Sequence, residues 1–230
     1  MAKLRAHVMT PRIIDLSYPI HEGMTTYPVH WHLPVEITQL ARHGIENRET
    51  RKITMGTHCG THIDAPRHFI PGGATVDTIP LDLLIGPARV LDMTPVETAK
   101  KCYDVADFER LLGDERPLRL ILRFDWSDHW GTMKYYTDQP FISEEAAQWL
   151  IDRGVRLLAM DTPQVDSPDH GRTGPKDSPN HKIMLGQGAY FVEYCTNLRS
   201  LTRPTVELVV LPPNILGSDG APARVVAIER

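Results

Sequence analysis

The chain has 230 residues, 41% hydrophobic and 23% charged, with a formal net charge of −4, a composition that suits a folded globular protein with a substantial core and excludes low-complexity or fibrous classes. Lysine and arginine are scattered among acidic residues without a basic block, which argues against a nucleic-acid or anionic-membrane partner and for a small molecule. Cys59, Cys102 and Cys195 form no CxxC pair, the start MAKLRAHVMTPRIIDLSYPI lacks the apolar core of a leader, and no apolar run approaches spanning length; the chain reads as cytoplasmic, one domain over 1–230.

In chain order, 12–16 (RIIDL) and 35–40 read as short strands separated by the turn-rich SYPIHEGMTTYPVHWHLP. After the histidine-rich segment 58–69, PGGATVDTIPLDLLIG is a loop with a short apolar turn, and 88–92 (ARVLD) is a buried strand. Residues 104–112 place Val105, Phe108, Leu111 and Leu112 on one helical face. Strand 118–124 (LRLILRF) runs into the aromatic loop 125–140, where Trp126, Trp130, Tyr135 and Tyr136 suggest a packed loop or a subunit interface. Ser143 before Glu144, Glu145 and Ala146 signals the start of a helix that ends near Arg153 and Gly154. Strand 155–160 (VRLLAM) delivers Asp161, Thr162 and Pro163 to a strand end, the usual place for functional loops in an α/β sheet. Strands at 206–211 and 223–228 complete an α/β or α+β pattern with no repeat or linker.

The segment HCGTHIDAPRHF holds three of the eleven histidines and an aspartate. Gly60 and Pro66 disfavour a helix, so the segment is expected to be extended, with His58, His62, Asp64 and His68 on one side and Cys59, Thr61 and Ile63 on the other. Imidazole and carboxylate together suit Zn²⁺, Mn²⁺ or Fe²⁺. Pro66 is expected to set His68 apart from the other three. Cys59, of opposite parity, reads as a packed thiol. Asp161 and Asp166 are candidates to hold a ligand histidine through its second nitrogen, or to cap the turn at Pro163. Gly186 to Gly188 form a tight turn able to bring His181 and Glu193 to one centre.

HCGTHIDAPRHF resembles the HxGTHxDxPxH signature of the cyclase-like metal hydrolases, the family of bacterial kynurenine formamidase and isatin hydrolase. Asp15-Leu16-Ser17 with Gly23-Met24 and Pro28, Asp161-Thr162, and His181 with Glu193 extend the resemblance along most of the chain; the loop 125–140 is longer than expected for a formamidase. The resemblance implies a swivelling β/α/β domain assembled as a homodimer or homotetramer. It also implies one or two Zn²⁺ or Mn²⁺ ions per subunit: His58, His62 and Asp64 on one, with Asp64 bridging to a second held by His181 and Glu193. His68 becomes the general acid/base, and Tyr27 a pocket-lining residue or an ordinary loop tyrosine. The expected reaction is hydrolysis of a small amide-type carbonyl compound, an N-formyl aryl amide or a cyclic amide such as isatin. A non-haem Fe(II) oxygenase and a non-enzymatic metal-binding protein are the alternatives.

Overall fold

Thirteen strands and five α-helices are arranged in a mixed α/β fold in the computed structural model, which describes residues 10–94, 98–171 and 173–230. The strands are β1 (Arg12–Asp15), β2 (Glu36–Ala41), β3 (Thr50–Thr54), β4 (His62–Asp64), β5 (Ile85–Asp92), β6 (Cys102–Tyr103), β7 (Arg119–Arg123), β8 (Phe141–Ile142), β9 (Leu157–Met160), β10 (Tyr190–Glu193), β11 (Thr205–Leu211), β12 (Gly220–Pro222) and β13 (Arg224–Glu229). The helices are α1 (Leu81–Leu84), α2 (Val105–Leu112), α3 (Lys134–Thr137), α4 (Glu144–Asp152) and α5 (Pro179–Gly186). The expected strands and helices are present with ends displaced by a few residues. The N-terminal residues on which the reading of no leader rests lie largely outside the described ones.

Nine strands form one sheet in the order β1-β13-β11-β5-β7-β9-β10-β4-β12. Its centre, β5-β7-β9-β10, is parallel, and the flanking pairs are antiparallel. The middles of the central strands, Leu120–Leu122, Leu157–Met160 and Tyr190–Val192, are continuously apolar because both faces are covered there. Leu120, Leu122, Leu158, Met160 and Phe191 point into a core with α2, α4 and α5. Ile121, Leu157, Ala159 and Val192 point the other way, toward residues of β11, β13 and α1.

Local chemistry sets the helix ends. Asp104 caps α2 by accepting from the Asp107 N–H, and Asp107 returns the contact. Ser143 caps α4 by accepting from the Ala146 N–H, with Glu144 and Glu145 in the positive first turn. Gly154, at φ +95°, lets the chain leave α4 for β9. The chain thus returns repeatedly to the β9-β10-β4 end of the sheet, where the histidines gather. No helix among the described residues is long and apolar enough to cross a membrane.

Candidate metal centre

Strand β4 is three residues long and fully buried, and its alternation sends His62 and Asp64 to one face while Ile63 enters the core on the other. Strand β10 pairs antiparallel with it and sets Glu193 opposite His62. Helix α5 carries His181 and turns back into β10 through Gly188 at φ +76°. The expected return of the chain is therefore present: His181 Nε2 lies 3.3 Å from Glu193 Oε1 and 3.6 Å from Asp64 Oδ2. His62 Nε2 lies 3.1 Å from Asp64 Oδ1 and 3.7 Å from Glu193 Oε2.

His58 and His68 arrive differently. The segment is not one extended run: Gly60 turns the chain at φ +59°, and Pro66–His68 is a single 3-10 turn. His58 Nδ1 still reaches Asp64 Oδ1 at 2.7 Å. Its ring stacks on that of His68 with centroids 3.8 Å apart, so Pro66 does not carry His68 away from the cluster. At the edge of this stacked pair stands Asp219, whose Oδ2 is 2.8 Å from His58 Nε2 and 3.4 Å from His68 Nδ1. Two sets of side chains close enough to share an ion meet at Asp64: His62, Asp64 and Glu193, and His58, Asp64 and His68. His58 Nδ1 and His62 Nε2 both lie beside Asp64 Oδ1, and His68 stands in the same cluster.

Each of three imidazoles is held on one nitrogen and turns the other toward Asp64. His62 Nδ1–H donates to the Gly60 carbonyl at 2.8 Å, His181 Nδ1–H to Asp166 at 2.5 Å, and His58 Nε2–H to Asp219. Such outer contacts fix tautomer and ring direction in metal-binding histidines. Of the two aspartates considered from the sequence, Asp166 has this role. Asp161 instead accepts the Phe124 and Trp126 N–H groups at 3.0 and 3.1 Å, anchoring the aromatic loop; burial pushes its carboxyl up to about 7.

The electrostatics describe a centre short of positive charge. Burial opposes a charge on His58, yet Asp64 and Asp219 push that imidazole up to about 10. Burial also opposes ionisation of Asp64, but His58 and His62 hold it well below the usual carboxylate range. Burial and the neighbouring Asp64 push Glu193 upward, and its Oε1 is buried without a hydrogen bond. Two buried carboxylates facing imidazoles, one with an unsatisfied oxygen, fit a divalent cation with nitrogen and oxygen ligands.

Above the centre opens a chamber of about 250 Å³, walled by Tyr27, Val29, Trp31, Phe69, Pro163 and Tyr194. Tyr27 is buried in this wall, not an exposed loop residue, and its hydroxyl accepts from Gln164 Nε2 at 3.2 Å. Tyr136 meets Tyr27 edge-on at 5.5 Å, and Trp126, Tyr135 and Tyr136 are buried, so the aromatic loop packs behind the chamber. Cys59 is buried beside Met24 and Val35, a packed thiol as expected. Asp219, Gln164 and Tyr194 were not legible as site residues. Only the short GSDG turn marks Asp219 in the sequence, and Tyr194 owes its place to a φ of +56°, rare for a bulky side chain.

The fold and this centre define a known class. The family described as putative cyclase matches residues 14–167. Kynurenine formamidase from Bacillus mycoides (strain KBAB4) is 30% identical over 217 residues, covering 94% of this chain and 97% of the relative. Among solved structures, isatin hydrolase A from Ralstonia solanacearum superposes with a TM-score of 0.84 at 26% identity, covering 96% of this chain and 92% of that one. A protein described as a predicted metal-dependent hydrolase from Bacillus stearothermophilus gives a TM-score of 0.76 at 28% identity over 96% of this chain and 100% of its own. The chain belongs to the putative cyclase family, and it is an enzyme.

Proposed function

We propose that the protein is a metal-dependent hydrolase of small amide-type carbonyl compounds, with an N-formyl aryl amide such as N-formylkynurenine or a cyclic amide such as isatin as substrate. The observation that carries this reading is the ring of His58, His62, His181 and Glu193 around buried Asp64, each imidazole tied on its outer nitrogen, at the floor of an aromatic-walled chamber. Zn²⁺ or Mn²⁺, one or two ions, would be held by His58, His62, Asp64, His181 and Glu193 and would supply Lewis acidity toward the carbonyl and toward water.

The remaining chemistry belongs to side chains. Tyr27, Trp31 and Phe69 offer flat apolar surface to an aryl group, and the Tyr27–Gln164 pair offers polar atoms that orient it. His68, at 23% side-chain exposure the most accessible of the clustered histidines, stands where it can deliver a proton to the leaving nitrogen. An amide nitrogen leaves poorly unless protonated, and positioned acid–base groups contribute roughly 10²–10⁴-fold. The proposal keeps the expectations of one domain, a cytoplasmic setting and a homodimer or homotetramer.

The test is a turnover screen with N-formylkynurenine, isatin and an activated aryl ester, with and without oxygen. Oxygen-independent hydrolysis that a chelator abolishes and Zn²⁺ or Mn²⁺ restores supports the proposal. Oxygen consumption coupled to product formation would point instead to the oxygenase.

A further inference from the structure

Resting on the reading of His68 as proton donor, we propose that Asp219 is a positioning residue, a single carboxylate that fixes the working nitrogen of both His58 and His68. Its Oδ2 takes the His58 Nε2–H at 2.8 Å and faces His68 Nδ1 at 3.4 Å, while its Oδ1 accepts from Thr57 Oγ1 at 3.2 Å. With Nε2 of His58 engaged by Asp219, Nδ1, 2.7 Å from Asp64 Oδ1, is the nitrogen left for the cation. With Nδ1 of His68 facing the carboxylate, Nε2 is left for the substrate. One side chain therefore links a group that holds the cation to the group that moves the proton.

The turn that presents Asp219 is built for this approach. The Asp219 carbonyl accepts from the Ala65 N–H at 2.9 Å, and Gly220 pairs with Asp64 in the β12–β4 ladder. A Cβ at Gly220 would stand 2.6 Å from His58 Cε1, so the backbone comes this close to the imidazole only with glycine there. On its other side the turn is anchored by the Val76 N–H on the Ser218 carbonyl, at 2.9 Å, and by the Gly217 N–H on Asp77, at 2.8 Å. The carboxylate is thus held from both ends, with no dependence on a flexible side-chain reach.

The experiment compares Asp219→Ala and Asp219→Asn with wild type, all loaded with Zn²⁺. It measures metal affinity by chelator competition, the ¹⁵N shifts of the His58 and His68 imidazoles, and turnover on an amide and an activated ester at saturating metal. Asp219→Ala should bind Zn²⁺ about tenfold to a hundredfold more weakly. It should also mix the tautomers of both histidines and lose more turnover on the amide than on the ester. Asp219→Asn, which keeps an acceptor in place, should restore part of each loss. Unchanged tautomers and affinity in Asp219→Ala overturn the assignment, as does loss of metal equal to that of Asp64→Ala, which would make Asp219 a ligand. Absence of any rescue by Asn also overturns it. If Asp219→Ala does not fold, Asp219→Ser takes its place under the same criteria. The tautomer and affinity readings need no turnover, so a wild type inactive on both substrates would sink the hydrolase proposal while leaving the placement of Asp219 decided.

Discussion

Glu229 and Glu193 both close strands of the same sheet and are both buried, yet their carboxylates end in opposite surroundings. Glu229, on β13, accepts from the Thr202 N–H at 2.6 Å, Thr202 Oγ1 at 3.0 Å, the Arg203 N–H at 3.1 Å and Arg12 Nη1 at 3.1 Å. Its hydrogen bonding is complete within the protein. Glu193, on β10, faces a second carboxylate and two imidazoles, and one of its oxygens has no hydrogen bond. Burial of a charge is common to both, so burial alone does not mark a site. The unsatisfied oxygen of Glu193, set beside a second buried carboxylate, does, because a buried carboxylate left short of donors is the arrangement a cation completes.

The contrast breaks most severely at Asp64, the carboxylate common to both groups of the centre. Asp64→Ala should purify with little bound metal and hydrolyse at background rate, as read by elemental analysis beside turnover; wild-type metal content would show that the open valences of this region are not for an ion. His68→Ala comes next, with an expected loss of roughly 10²–10⁴-fold on an amide. Metal should be retained, and the loss on an activated ester should be smaller. Metal lost in step with activity would move His68 into the ligand set that its closeness to His58 and Asp64 permits.

Asp166→Ala should weaken metal affinity by about 10–100-fold, since it releases the His181 ring while leaving the ligand itself in place. The smallest effect belongs to Glu229→Gln, which should leave metal content and turnover alone and lower the Tm at pH 7 by roughly 3–6 °C. Burial works against the Glu229 charge, but the hydrogen bonds from Thr202, Arg203 and Arg12 hold its carboxyl below the usual glutamate range. A depressed carboxyl contributes stability that is present above the unfolded-state value and is lost as pH falls through the folded one. Melting curves of the variant should therefore fall less steeply than wild type below about pH 5. A change in metal content in Glu229→Gln would erase the distinction between the two regions.

What the sequence disclosed follows the range of its signals. Strict alternation placed His62 and Asp64 on one face, because those two residues do lie on a strand. The same rule gave the correct side for His58 and His68 for the wrong reason, since turns at Gly60 and Pro66 bring them in. The capped helices were readable from Asp104 and Ser143 because capping is local chemistry. His181 and Glu193 were placed by resemblance and by a glycine turn. Asp166 and Asp161 were indistinguishable as letters: each accepts two backbone N–H groups, and only packing shows that Asp166 also meets an imidazole. Asp219 was invisible because its contact with His58 spans 161 residues and depends on β12 completing the sheet beside β4. No local pattern encodes that pairing.

The centre around Asp64 is most directly tested by elemental analysis of the wild-type protein as purified and after exhaustive chelation, paired with turnover on N-formylkynurenine and isatin. One or two equivalents of a divalent transition metal, activity that falls with its removal, and recovery on adding Zn²⁺ or Mn²⁺ are the expected result. Full hydrolysis by protein verified to be metal-free would contradict it.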